Sequence, residues 1–353
     1  MKPFLLLFGL LLSVHQLSFT QERRSFKIHT VAFYNLENLF HPSDDPLTYD
    51  NDRTPDGKDH WTEAIYELKL FNMAHVISDI GKDLSGSSPV LIGVCEIENK
   101  QVLEDLLKQD ALSQNDYGIV HFDSPDRRGI DVGLLYKKRM FTPSHIRNYE
   151  LKIYDKNIPD KRVFTRDQLL VSGFLDGEKI HLIVSHWPSR SGGETYSEYK
   201  RINAAHLNRR IIDSLFGEDP YAKIISMGDL NDDPTNTSVK DILNAQANKS
   251  NLQLKQLYNP MEVLFKKGLG SLAWRDSWNL FDQLIISSEW AKTEYTSYRF
   301  YKAGIFNPNY LITPNGKYKG YPFRSFSNGG FTGGYSDHFP VYLYLIKQMA
   351  VPD

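Results

Sequence analysis

The sequence predicts an α/β (α+β) sandwich, and three observations point to it. Short apolar runs recur along the chain, each with a polar residue at one border, as expected of strands buried on both faces. Amphipathic helical segments lie between these runs instead of forming a block of their own. The 353 residues are 41% hydrophobic and 13% aromatic, enough for a full core. No low-complexity linker, coiled-coil heptad or short tandem repeat divides them, so one domain fits better than two unlike ones.

The N-terminus has the layout of a secretory signal. Met1–Lys2 is positive, Phe4–Leu12 almost wholly apolar, and Ser13–Thr20 mixed and small. The apolar run is too short to span a bilayer. Residues 1–20 are therefore expected to be a signal peptide and 21–353 a single mature domain, secreted or periplasmic. No stable membrane span is expected.

Lys27–Tyr34 then reads as a strand leading into Asn35, and Val90–Cys95 as one leading into Glu96. Ile180–Val184 leads into Ser185–His186, and Lys223–Met227 into Gly228-Asp229-Leu-Asn231. Three further runs carry the polar group at their start: Asp131 before Val132–Tyr136, Asp282 before Gln283–Ile286, and Asp337–His338 before Val341–Ile346. In mixed or antiparallel sheets the end of one strand and the start of its antiparallel neighbour share an edge. Such borders can converge on one rim.

Helices are expected at Glu63–Ile80, Gln101–Leu107 and Tyr199–Phe216. Thr62 is placed to cap the first, with Ile65, Leu68, Phe71 and Val76 facing inward. In the third, Ile202, Ala205, Ile211, Ile212 and Leu215 form the inward face. A Gly- and Tyr-rich C-terminal third follows. Cys95 is the sole cysteine, so stability rests on the core, and its apolar run makes it a small buried hydrophobe.

The charge is balanced: 41 basic against 43 acidic residues, net −2. That excludes a protein that coats nucleic acid by charge alone, since phosphate neutralisation needs a basic surface. It leaves room for a nuclease that holds a few nucleotides beside a metal.

Scattered Asp, Glu, Asn and His at strand borders suit phosphoester hydrolysis. Mg²⁺ takes one or two carboxylates and keeps several waters, so its ligands need no tight local motif. Clustered Cys/His spacing for zinc is absent. Taken singly, each fragment has an ordinary reading: a turn at Gly228–Pro234, a capping carboxylate at Glu96, a loop network at Ser336–His338, a loop histidine at His186. Asp52–Glu63 approximates a calcium loop, but Thr54 and Asp59 break its pattern, so a polar surface loop is expected.

The combination is more specific. Phe33-Tyr-Asn35-Leu-Glu-Asn38, Gly93-Val-Cys-Glu96-Ile-Glu98-Asn99 and Arg128-Gly-Ile-Asp131-Val-Gly-Leu-Leu-Tyr136 open the series. Ser185-His186, Gly228-Asp229-Leu-Asn231, Phe281-Asp282-Gln-Leu-Ile-Ile-Ser287 and Ser336-Asp337-His338-Phe-Pro-Val341 complete it. Over about residues 27 to 346, this order resembles the endonuclease/exonuclease/phosphatase family, with its deoxyribonuclease I-like fold. The resemblance implies a four-layer sandwich, two packed mixed sheets with helices outside. It implies Glu96 as the principal Mg²⁺ ligand (Mn²⁺ as substitute), with Asn35 and Asp337 contributing. Asp229 would activate water, Asn231 would hold it or a phosphate oxygen, and His338, positioned by Asp282, would donate to the phosphoryl group. His186 would be the second imidazole, a feature of the deoxyribonuclease I, sphingomyelinase and inositol polyphosphate phosphatase branches.

Arg128, Arg166 and Arg190 are candidates for phosphate contacts, and Trp187 and Trp274 for stacking on a base or apolar group. The expected function is a nuclease-like phosphodiesterase. A phosphomonoesterase or sphingomyelinase/inositol-phosphatase-like enzyme on the same site is the alternative. A basic groove flanking His186 would favour nucleic acid, whereas an apolar hairpin would favour lipid. A non-catalytic module would have lost Glu96, Asp229, Asn231 or His338, and all are present. No protein partner is indicated, and a monomer is expected.

Overall fold

The computed structural model describes residues 25–327 and 329–349, so the expected signal peptide lies outside the described residues. Two large mixed sheets form its centre. The first runs in the order Arg299–Ile305, Val341–Gln348, Phe26–Leu39, Leu91–Ile97, Asp131–Lys137, Tyr117–His121. The second runs Ala245–Gln246, Leu257–Tyr258, Asp282–Ser287, Ile224–Asp229, Glu178–His186, Gln168–Leu175, Phe141–Tyr149. All seven expected strands are present.

Each sheet is built on the same device. In the first, Phe26–Leu39 and Leu91–Ile97 are parallel and joined through the helix Glu63–Asp79, while Val341–Gln348 pairs antiparallel. In the second, Glu178–His186 and Ile224–Asp229 are parallel and joined through the helix Glu194–Glu218, while Asp282–Ser287 pairs antiparallel. In both, the parallel pair ends where the antiparallel strand begins. That common edge is the rim the sequence anticipates.

Apolar side chains from the two sheets meet in the middle, among them Val31, Phe33, Leu182, Val184, Met227 and Leu284. Gly93 makes the close approach possible, since a Cβ there would fall 2.6 Å from the Met227 sulfur. Outer cores lie between the first sheet and the helices Glu63–Asp79 and Lys100–Lys108, and between the second sheet and Glu194–Glu218. The result is the four-layer sandwich. Cys95 is fully buried in its centre. Residues 51–61 form a turn-rich polar loop in which Arg53 pairs with Asp59.

The face of the first helix differs from expectation. Thr62 caps it through Ile65 N–H, but Leu68 and Phe71 are 44% and 60% exposed. The buried side is Tyr66, Lys69, Leu70, Asn72, Met73, Val76 and Ile77. Polar residues face inward because the C-terminal loop supplies their partners. Lys69 donates to Ser325 Oγ and, at 2.6 Å, to the Tyr335 carbonyl; Asn72 donates to the carbonyls of Gly333 and Gly334. This clamp holds the loop that leads to His338.

At the opposite rim, ion pairs tie the sheets together. Asp176, in a hairpin of the second sheet, lies 2.7 Å from both Lys27 Nζ and His29 Nε2 and accepts from the Tyr298 hydroxyl at 2.5 Å. Burial alone would raise the Asp176 pKa, but hydrogen bonds from Lys27, Tyr298 and His29 outweigh it and lower it to about 2. A depressed folded-state pKa means stability present above the unfolded value of about 3.9 and lost as pH falls toward the folded value. Urea midpoints of the wild type should therefore fall between those pH values, and Asp176→Asn should flatten that part of the profile. Separately, Lys69→Met should cost about 2–3 kcal/mol in urea denaturation, by leaving buried acceptors and nearby Glu37 uncompensated.

Candidate active site

Six polar side chains converge on the rim from both sheets. Asn35 and Glu96 come from the ends of the parallel pair in the first sheet, and His186 and Asp229 from the ends of the pair in the second. Asp282 and His338 arrive from the starts of the antiparallel neighbours. Backbone irregularity aims them. The ladder shifts register between Cys95 and Ile97, making Glu96 the bulged residue, and again between Asn35 and Leu39. Glu37, Asn38, Glu96 and Asn231 all have left-handed backbones, with φ from 47° to 57°. Such conformations cost about 1–3 kcal/mol each and persist where surrounding contacts enforce them.

Asp229 is the centre. It is 2% exposed. Its Oδ1 accepts from Asn231 N–H at 2.9 Å and its Oδ2 from the Asn35 amide at 3.1 Å. Around Oδ2, His186 Nε2 lies at 3.6 Å and His338 Nε2 at 3.9 Å, and the same His186 nitrogen is 3.9 Å from Glu96 Oε1. These separations are too long for direct hydrogen bonds and leave room at the centre. Gly228 lets this strand sit tight on its neighbour, since a Cβ there would fall 2.2 Å from the Ser185 carbonyl oxygen.

The protonation states diverge. Burial raises the Asp229 pKa to about 7; the charges of Asp282 and Glu96 add to that, and His338 opposes it. Burial alone would lower the His338 pKa, but Asp282, 2.6 Å from its Nδ1, drives it well above the usual value. Burial, then the charges of Arg166 and Arg128, hold His186 well below it. One imidazole is thus charged and the other neutral. Environments that push paired groups apart in this way assign acid and base roles.

The donor set fits a hard divalent cation. Glu96 accepts from Asn38 N–H through Oε2 and turns Oε1 inward, and Asp229 supplies a second carboxylate. Among the described residues, Asp282 Oδ1 and His186 Nδ1 are buried without a hydrogen-bonding partner. Two groups here have ligand atoms within 4.8 Å of one another: Cys95, His186 and Asp229, and Asp229, Asp282 and His338. Burial pushes the Cys95 thiol well up, so the carboxylates are the available anionic donors.

Most of the expected residues have partners within the protein. Asn35 directs its amide to Asp229, while its Oδ1 accepts from Glu37 N–H. Asn231 donates to the Trp187 carbonyl. Asp337 pairs with Arg324 at 3.0 Å. Arg166 is buried, donating to Trp187 O at 2.6 Å and pairing with Asp126 at 3.0 Å. Arg190 bonds the Asn231 carbonyl and pairs with Asp232, Asp233 and Glu194. Arg128 is half exposed beside Asp126. Trp187 is fully buried, which rules it out as a stacking surface, whereas Trp274 is 65% exposed on a hairpin with Ser277–Asn279.

Supporting residues lay beyond the reach of the sequence. Buried Arg201 pairs with Asp232 at 2.6 Å, and the Gln283 amide donates to the Asp232 carbonyl; together they fix the loop after Asp229. Glu37 accepts from Ser325 N–H and pairs with Arg324. Ser336 donates to Asn35 O and accepts from His338 N–H, locking the last motif to the first strand. Glu37 and Ser336 stand inside recognised motifs, a usable signal; Arg201 has none.

Residues 30–347 match the family model described as Endonuclease/Exonuclease/phosphatase family. Among solved structures, an endonuclease/exonuclease/phosphatase family protein from Bacteroides thetaiotaomicron aligns at TM-score 0.53 and 16% identity, over 92% of this chain and 96% of that one. The mannosyl-6-phosphatase Bt3783 of the same species aligns at 0.51 and 17%, over 90% and 99%. The human Nocturnin catalytic domain with bound sulfate aligns at 0.53 and 15%, over 92% and 98%. A 96-residue stretch is 31% identical to the protein translocase subunit SecA of Francisella philomiragia, spanning 27% of this chain and only 9% of the translocase, so nothing of its activity carries over. The match over nearly the whole chain, on this fold and rim, places the protein in the endonuclease/exonuclease/phosphatase family.

Proposed function

We propose that the protein is an exported, divalent-metal-dependent phosphoester hydrolase. The observation that carries this reading is a buried Asp229 flanked by Glu96, a charged His338 and a neutral His186 on one rim. The Asp229 carboxylate, held at the centre of the rim, is placed to take a proton from water. Asn35 and Asn231 fix both carboxylate oxygens and so orient the base. His338 presents Nε2 to the rim while Asp282 holds Nδ1, which suits donation to a phosphoryl oxygen. His186 contributes a neutral imidazole on the opposite side. Glu96 would hold Mg²⁺ or Mn²⁺ beside Asp229, and the ion when bound offsets phosphoryl charge and lowers the pKa of water. The apolar Phe4–Leu12 segment after Lys2 supports export to a secreted or periplasmic location.

The substrate is more compatible with a small phosphoester than with a long nucleic-acid strand. Of the three cations expected to grip phosphates, Arg166 and Arg190 have most of their donors engaged within the protein, while Arg128 is half exposed. Among the described residues no helix is long and apolar enough to cross a membrane.

Hydrolysis of p-nitrophenyl phosphate and bis-p-nitrophenyl phosphate with Mg²⁺ or Mn²⁺ tests this reading. EDTA should abolish turnover, and Asp229→Asn should lower kcat by about 10²–10⁴-fold. Absence of metal-dependent turnover on both compounds contradicts it.

A further inference from the structure

We propose that a cavity beside the catalytic rim receives a neutral, polyhydroxylated alcohol, so that the hydrolysed phosphoester is a sugar phosphate. This deepens the phosphoester-hydrolase reading and rests on it. The cavity has a volume of about 720 Å³, lined in part by Tyr49, Glu98, Asp123, Asp131 and Phe164. That size lies within the roughly 300–1,000 Å³ of small-molecule sites.

The cavity adjoins the rim: Glu98, in its lining, stands two residues after Glu96. Asp131 pairs in register with Ile97, the residue after bulged Glu96. Asp126, also in the lining, binds Arg166, which bonds the same Trp187 carbonyl that holds Asn231. Arg128 lies 3.4 Å from Asp126 in the lining, and its charge is felt at His186 on the rim. A phosphoryl group at Glu96 and Asp229 would have this cavity beside it to receive its alcohol.

The lining chemistry selects that alcohol. Glu98 is 6% exposed; Oε2 accepts from His41 N–H at 2.6 Å, and Oε1 has no hydrogen-bonding partner among the described residues. Thr48 Oγ1, also in the lining, is likewise unpartnered. A carboxylate oxygen left free in the lining can accept from an O–H or N–H donor, and a hydroxyl group can both donate and accept. Tyr49 and Phe164, 72% and 41% exposed, offer faces for the apolar side of a sugar ring.

Charge argues against nucleic acid. Five carboxylates line the cavity against one guanidinium, Arg127, which lies 5.9 Å from the Phe164 ring. A strand would bring a phosphate into that field with each nucleotide. A metal ion in the cavity wall is disfavoured because His121 and Asp131 already satisfy each other at 3.0 Å.

The test compares mannose 6-phosphate and glucose 6-phosphate with p-nitrophenyl phosphate, phosphocholine and a single-stranded oligodeoxynucleotide, using the mature protein with Mg²⁺ or Mn²⁺. A hexose phosphate should exceed phosphocholine and the oligonucleotide in kcat/KM by at least about tenfold. Glu98→Gln, and separately the exposed Tyr49→Ala, should lose at least about tenfold more on the hexose phosphate than on p-nitrophenyl phosphate, chiefly through KM. Calorimetric titration of metal-free protein with the hexose phosphate should weaken in the same variants. Turnover of p-nitrophenyl phosphate with preference for the oligonucleotide or phosphocholine, or equal losses on all substrates, overturns the sugar assignment alone. Failure to hydrolyse any of them overturns the phosphoester reading as well.

Discussion

Everything at the rim depends on keeping a carboxylate, Asp229, buried beside two others. Taking such a group out of water favours its neutral form strongly, and nearby Asp282 and Glu96 deepen the penalty. The compensation is local: two hydrogen bonds to its oxygens and one imidazolium at His338. A divalent cation between Glu96 and Asp229 would complete the balance. The same arrangement gives His338 its charge, because Asp282 is bonded to the nitrogen that faces away from the rim. Removing either acid therefore alters the protonation of the others.

The fold supplies the positions for this balance by repeating one unit. A helix-linked parallel pair and an antiparallel neighbour place three strand borders at one edge, and packing two such sheets face to face brings six borders together. The bulge at Glu96 and the left-handed residues around it then turn side chains inward from strands that would otherwise alternate past the site. On the far rim Asp176 ties sheet to sheet, so the relative placement of the two halves of the site rests on charge as well as on the core.

Much of this was legible in the sequence. Continuous apolar runs located seven strands, and their polar borders located Asn35, Glu96, His186, Asp229, Asp282 and His338. What escaped was whatever depends on a partner far along the chain. Apolar periodicity assigned Leu68 and Phe71 to the core, but the helix turns Lys69 and Asn72 inward because loop carbonyls some 260 residues away receive them. Arg166 and Arg190 read as candidates for phosphate contacts, yet their acceptors, the carbonyls of Trp187 and Asn231, lie on segments that only the assembled strands bring near. The acidic character of the cavity has the same origin, since Asp45, Glu98 and Asp123 come from separate connections.

Charge at the rim and charge in the cavity have different consequences. The rim's carboxylates would suit a cation, while Glu98 and Asp131 in the cavity are bonded to internal donors. The central claim is that Glu96 and Asp229 form one divalent-cation site, and calorimetric titration of metal-free protein with Mg²⁺ and Mn²⁺ addresses it directly. Saturable binding in the wild type that is lost in Glu96→Gln, with the variant still folded by circular dichroism, is the predicted result. Binding of equal affinity in Glu96→Gln, or none in the wild type, would contradict the account.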